Sequence, residues 1–419
     1  MLKLLKNRNF SYLFWGRVVT NMGDSLYNVA AMWLVYEMTH SPLYTGIAGA
    51  LIMIPQVLEF LVGPLVDRWR LRSILLFTQL FQGFLILLIP ISYYLGFSSV
   101  WLVMSIMFGV VAIEQFVYPA QSAMIPKVLP KEELPEANSL MNIAYKGADF
   151  LLTALAGILI VKIGAINIYL INSVTFLLAI MLFKNIHYQD NRQGKIEEIS
   201  SMKSGFQMYK KELIEGFSFV KHSTILQYII PLIIANFVFG MINAILPAYA
   251  DLRGGESYYG YYLASLSVGM LSGSLLAAYF KNIPLGRVII LSFLFSSMAW
   301  GGSFLVGSSI LSVILFGIST IGIGIANLLI FTMIQSILPE DMMGRVFSFI
   351  SSIATILLPL GSFIGGYMAT IIGSEYIFGA GSLLCLLIVF YWTTNHSLRR
   401  LPTYLEITPE THLKKKSAS

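Results

Sequence analysis

Six ionisable residues sit inside stretches that are otherwise apolar: Arg17, Asp24, Glu59, Glu114, Lys146 and Asp149. A charge held in hydrocarbon is costly, and such residues mark proton relays, substrate paths or structural ion pairs. The stretch "NIAYKGADFLLTALAGILIV" (142–161) carries two of them three residues apart. Arg17, Glu59, Glu114 and Lys146 are expected about 10–12 Å from the inner ends of their spans, at 1.5 Å per helical residue. Asp149 is expected at about 15 Å and Asp24 at about 22 Å. The shallower layer holds two cations and two anions, so it can neutralise itself as a buried charge network. The deeper layer is two carboxylates with no cation at their depth. Acids in a low-dielectric site hold a proton more readily than acids in water, which makes Asp24 and Asp149 the candidate proton carriers. Residues i and i+3 share a helix face, so Lys146 and Asp149 are expected to point the same way. Either they pair and Asp149 serves structure, or Lys146 pairs with Glu59 or Glu114 and Asp149 is free to titrate. Both readings stay open in the sequence.

The elements that must position these residues are membrane spans. Of 419 residues, 57% are hydrophobic and 11% charged, where a soluble domain carries about 25% charged residues. Apolar runs of bilayer-crossing length recur along the chain. Twelve spans are expected, roughly at 10–36, 43–66, 73–95, 100–121, 139–161, 164–184, 225–249, 257–280, 285–307, 309–333, 345–372 and 376–394. Arg17, Asn21 and Asp24 interrupt the first of them, so it does not read as a cleaved signal peptide. Placing both termini in the cytoplasm puts 23 of the 27 Lys and Arg residues inside, a strong positive-inside asymmetry. The formal net charge of +6 is therefore a topology signal, and no nucleic-acid partner is expected. The single cysteine, Cys385, reads as an apolar filler within the last span.

The longest loop divides the spans six and six. The expected organisation is a six-helix bundle at 1–184, a cytoplasmic linker at 185–224, a second bundle at 225–396 and a cytoplasmic tail at 397–419. Within the linker, Phe206, Tyr209, Leu213, Phe217 and Val220 recur at helical spacing between Lys and Glu residues. That pattern reads as an amphipathic helix on the inner membrane surface. The halves also resemble each other: "MIPKVLPKEELPEANSL" (124–140) aligns without gaps to "MIQSILPEDMMGRVFSF" (333–349). Repeats of six spans with a binding site between them are a recurring transporter plan.

The stretch "GPLVDRWRLRSIL" (63–75) resembles the signature loop of the major facilitator superfamily, with Gly63, Asp67, Arg68 and Arg72 at the matching positions. Two further stretches, "GRVVTNMGDSLYNVAAMWLVYEMTHSP" (16–42) and "YPAQSAMIPKVLPKEELPEANSL" (118–140), look like the macrolide-efflux-like drug exporters of that superfamily. The resemblance covers nearly the whole chain. It implies an all-α membrane protein of two pseudo-symmetric six-helix bundles. It also implies proton-driven export of a small amphipathic compound across the bacterial cytoplasmic membrane. Gly63, Asp67, Arg68 and Arg72 would form an inner-side latch between the halves. Two positions depart from the pattern. Val110 stands where many drug antiporters carry Arg in span 4, and Leu152 and Thr153 stand where they carry Gly-Pro in span 5.

The chain is rich in Phe (28), Tyr (22) and Met (19), and adaptable Met-lined surfaces suit bulky apolar ligands. Tyr27, Trp33, Asn236, Asn243 and Asn327, on spans 1, 7 and 10, are the candidate cavity residues. No phosphate loop, zinc-spaced His or Cys cluster or nucleophile elbow is present, so neither an ATP-driven pump nor an enzyme is expected. No cofactor or metal is expected. The expected partners are a small-molecule substrate, protons and membrane lipids, and the chain is expected to act as a monomer. A nutrient symporter, or an exporter of lysolipids or siderophores, would use the same hardware. A receptor or scaffold would need neither buried acids nor matched halves.

Overall fold

In lipid every backbone polar group must be satisfied within the protein, and helices do this segment by segment. The computed structural model describes residues 2–57, 62, 66, 69–147, 149–188, 211, 214–403 and 406, apart from some side chains that include those of Lys146 and Asp149. It is all-helical. The helices are α1 (Arg8–Thr39), α2 (Pro42–Val57), α3 (Leu71–Tyr94), α4 (Val100–Glu114), α5 (Val117–Val128), α6 (Leu134–Asn142) and α7 (Asp149–Ile163). They continue with α8 (Ala165–Lys184), α9 (Ile225–Arg253), α10 (Glu256–Leu276), α11 (Leu285–Leu305), α12 (Ser309–Ile337), α13 (Glu340–Ile372) and α14 (Ser374–Thr394). Among the described residues nine helical stretches are long and apolar enough to cross a bilayer. The other three expected spans are α1, interrupted by Arg17, Asn21 and Asp24, and those starting at Pro42 and Leu134, where some residues lie outside the description.

Two spans differ from expectation in ways that matter for the buried charges. The fourth runs from Val100 to Val128 instead of ending at 121, and it breaks at Gln115 and Phe116 between α4 and α5. Pro119 accounts for the break, because it lacks the N–H that would bond the Gln115 carbonyl and its ring crowds that carbonyl. The fifth starts at Leu134 and contains a π-helical stretch, Ile143–Gly147, between α6 and α7. Single-residue joints need glycine: Gly164, φ 75°, separates α7 from α8, and Gly373, φ 98°, separates α13 from α14. Both take a left-handed conformation that a side chain would strain.

Contacts group the chain into two units, one of residues 1–40 and 51–207, the other of 41–50 and 208–419. In the first, α1 packs along α8 and against α7, and α3 packs along α8. There is no room for a β-carbon at Gly16 against Phe183 or at Gly23 against Asn172. Small residues that let helices approach closely are the usual means of association in a bilayer.

In the second unit α9 lies along α13, with Gly240 against the Leu358 carbonyl and Gly361 against that of Phe237. The start of α2 belongs here: Thr45 donates to the Ala244 carbonyl at 2.6 Å, and Ser362 donates to that of Gly46 at 3.1 Å. Trp300, Phe316, Phe378, Tyr249 and Tyr262 form a buried aromatic cluster. The Tyr262 hydroxyl meets that of Ser312 at 2.7 Å within it. Cys385 is buried, as expected of a filler.

Of the expected linker helix, Phe206, Tyr209 and Leu213 lie outside the described residues. Residues 214–221 are helical and pack against the start of α13, with the Phe217 and Phe349 rings 5.5 Å apart and Glu215 3.2 Å from Arg345. Val220 is buried.

Candidate functional site

The first unit contains two polar clusters on α1. The lower one is built on Arg17, which is only 7% exposed. Its Nη2 donates to Asn21 Oδ1 at 3.1 Å, and its guanidinium carbon lies 4.5 Å from the centre of the Tyr145 ring. A ring face stabilises a desolvated cation by about 2 kcal/mol. Asn21 turns its amide the other way and donates to the carbonyls of Ala144 and Tyr145 at 3.0 and 3.1 Å. Those carbonyls lie in the π-helical stretch, where the regular α-helical bonding pattern is interrupted. The Tyr145 hydroxyl donates to Gln121 Oε1, and the Tyr118 ring meets Tyr145 edge-on at 4.8 Å. A chain of buried polar contacts thus runs from α1 through the π turn to α5.

Lys146 belongs to the π turn and Asp149 opens α7. The expectation that they share a face rested on plain α-helical spacing, and the backbone between them is not plain α-helix.

The upper cluster is built on Asp24 and Tyr27, one turn apart on α1. Asp24 is 7% exposed and Tyr27 1%. The Tyr27 hydroxyl lies within electrostatic reach of Tyr169, Glu114 and Asp24, and it makes no hydrogen bond among the described residues. The Tyr27 and Tyr169 rings meet edge-on at 6.0 Å. Glu114 ends α4, just before the break at Gln115 and Phe116.

Span 3 adds polarity that a search for charges passed over. Gln79 and Gln82 are buried, and Gln82 donates to the carbonyl of Val110 at 3.4 Å. Val110 is the position where many drug antiporters carry Arg. The signal in the sequence was amides, here and at Asn21 and Gln121, placed within apolar runs.

Of the candidate cavity residues, Tyr27 and Trp33 are buried in the first unit. In the second, Asn236 and Asn243 are half-buried and Asn327 is exposed. Asn236 donates to the Leu232 carbonyl of its own helix at 2.8 Å. Glu59, Gly63, Asp67 and Arg68 lie outside the described residues. Arg72 is described: its Nη2 donates to the Lys184 carbonyl, tying α3 to the C-terminal end of α8. A cation there satisfies a terminal carbonyl and the helix dipole together. Among the described residues no group of His, Cys, Asp and Glu could hold a metal ion.

Residues 13–359 match the family model of the Major Facilitator Superfamily. The chain is 25% identical over 384 residues to the MFS-type transporter YvqJ of Bacillus subtilis (strain 168), covering 90% of each chain. It is 22% identical over 403 residues to macrolide efflux protein A of Streptococcus pyogenes, covering 93% of this chain and 96% of that one. Among solved structures, a bacterial homologue of the human lysosomal transporter Spinster superposes with a TM-score of 0.67 at 11% identity, covering 93% of this chain and 97% of that one. The match across most of the sequence and the shared helical fold agree: this chain belongs to the major facilitator superfamily, a family of multi-pass membrane transporters.

Proposed function

We propose that this chain exports small amphipathic compounds across the bacterial cytoplasmic membrane in exchange for protons, with both termini cytoplasmic. The observation that carries the reading is a carboxylate, Asp24, only 7% exposed on α1 and one turn from the buried Tyr27. A carboxylate in a low-dielectric site holds a proton more readily than one in water, so a proton can be held at Asp24 and given up as the charge around it changes. Asp24 is the principal carrier in this reading, with Asp149 as a second carrier.

Arg17, Asn21 and Tyr145 form the rigid floor beneath that site, with Lys146, Glu59 and Glu114 completing the buried charge network. Gly63, Asp67, Arg68 and Arg72 act as the conformational latch. The substrate-contact candidates are Trp33 in the first unit and Asn236, Asn243 and Asn327 in the second. The names of relatives support the substrate class, since macrolide efflux protein A is similar along nearly its whole length.

The test is uptake into inverted membrane vesicles with an imposed pH gradient, after a screen of lipophilic cations, macrolides and other amphipathic compounds. An exporter loads its substrate as the lumen is acidified. Loading only when the lumen is made alkaline would show a symporter instead.

A further inference from the structure

On the flank of the first unit, α3 and the end of α4 enclose an apolar groove of about 660 Å³. That lies within the range of about 300–1,000 Å³ typical of ligand pockets. Its floor is Ile74 and Thr78, its walls are Phe77, Phe81, Ile113 and Phe116, and Arg70 stands at its mouth. Trp69 stacks on Phe116, with ring centres 6.0 Å apart and planes within 13°. Trp69, Phe77 and Phe81 are 55%, 59% and 53% exposed, as side chains facing lipid are. Arg70 is exposed, and its guanidinium forms no hydrogen bond or ion pair among the described residues.

We propose that this groove binds one phospholipid with an anionic headgroup, its phosphate on Arg70 and one acyl chain along Phe77, Phe81 and Ile113. Length supports this occupant. Arg70 to Phe81 spans about 16 Å of helix, one leaflet of a hydrocarbon core about 30 Å thick. Charge supports it too, because a basic side chain at the mouth attracts an anionic headgroup. Trp69 sits where Trp is favoured, at the boundary between headgroups and hydrocarbon. A water-soluble anion would gain nothing from the aromatic walls. A purely apolar ligand would gain nothing from Arg70. The site is independent of what the protein transports.

The test uses the full chain in phosphatidylcholine nanodiscs, with brominated phosphatidylglycerol or brominated phosphatidylcholine added in increasing amounts. The fluorescence belonging to Trp69 is taken as the difference between the wild type and Trp69→Phe. Phosphatidylglycerol should half-quench it at a mole fraction roughly fivefold lower, the ratio one basic side chain near an anionic headgroup gives. Arg70→Gln should bring the two lipids together, and Arg70→Lys should keep part of the preference. Equal quenching of the Trp69 signal by both lipids overturns the proposal, and that result needs only that the conservative Trp69→Phe variant melt as the wild type does. Relief of quenching by millimolar inorganic phosphate alone also overturns it, in favour of a free-anion site. Relief by a transported compound overturns it in favour of a substrate entrance.

Discussion

Asn21 reaches from α1 to the Tyr145 carbonyl at 3.1 Å while its own Oδ1 accepts from Arg17 at 3.1 Å. One amide thereby holds a buried cation and repairs an irregular turn in a neighbouring helix. Asn21→Leu keeps the branched shape and removes both functions. Each buried polar group left without a partner costs about 1–3 kcal/mol. Thermal unfolding of the purified variant should begin well below that of the wild type. An unchanged melting temperature would show that the π turn does not depend on Asn21.

Arg17→Lys tests the other end of the same cluster. Lysine keeps the charge but loses the planar fork and most of the stacking on Tyr145. Stability should fall, though by less than in Arg17→Met, which leaves Asn21 Oδ1 and the Tyr145 ring face without their cation. Equal stability of the two variants would mean that only side-chain bulk matters there.

Lys146 is the second cation that the sequence places within a span of the first half. Lys146→Met should leave an excess anion, and an uncompensated member of a buried pair costs about 3–5 kcal/mol. Poor folding should be partly restored by one second change among Glu59→Gln, Glu114→Gln and Asp149→Asn, and the one that restores it identifies the partner. Restoration by Asp149→Asn would remove Asp149 as a proton carrier. A stable, fully active single variant would end the charge-balance account.

The linker contact on α13 separates packing from charge. Glu215 and Arg345 are 34% and 44% exposed at their side chains, and a pair so accessible contributes about 0–1 kcal/mol. Glu215→Gln should therefore change thermal stability little. Gly216 has no room for a β-carbon against the Arg345 carbonyl, so Gly216→Leu must push the linker helix off α13. Limited proteolysis should cut the 185–224 segment faster in Gly216→Leu than in Glu215→Gln. The reverse order would contradict the packing.

The membrane fold was legible because apolar length, basic-loop asymmetry and the signature at 63–75 all point the same way. The buried charges on α1 were legible for the same reason, as exceptions in apolar runs. The bounds of the fourth span were not. Pro119 breaks it without ending it, so the helical stretch runs on to Val128, past the expected end at 121. The π turn at Ile143–Gly147 was also hidden, because the amide that bonds its Ala144 and Tyr145 carbonyls, Asn21, lies on another helix. Asn21, Gln121 and Tyr145 were missed because uncharged polar residues in a span are common, and only packing reveals which of them are joined.

The central claim is that Asp24 exchanges a proton for substrate. Its most direct test is proton flux in inverted vesicles with an acidified lumen, followed by a pH-sensitive dye as substrate is added. The wild type should release lumenal protons as substrate enters. Asp24→Asn, present in the membrane and folded to a similar melting temperature, should do neither. Substrate entry without proton release in the wild type, or undiminished coupled flux in Asp24→Asn, would contradict it.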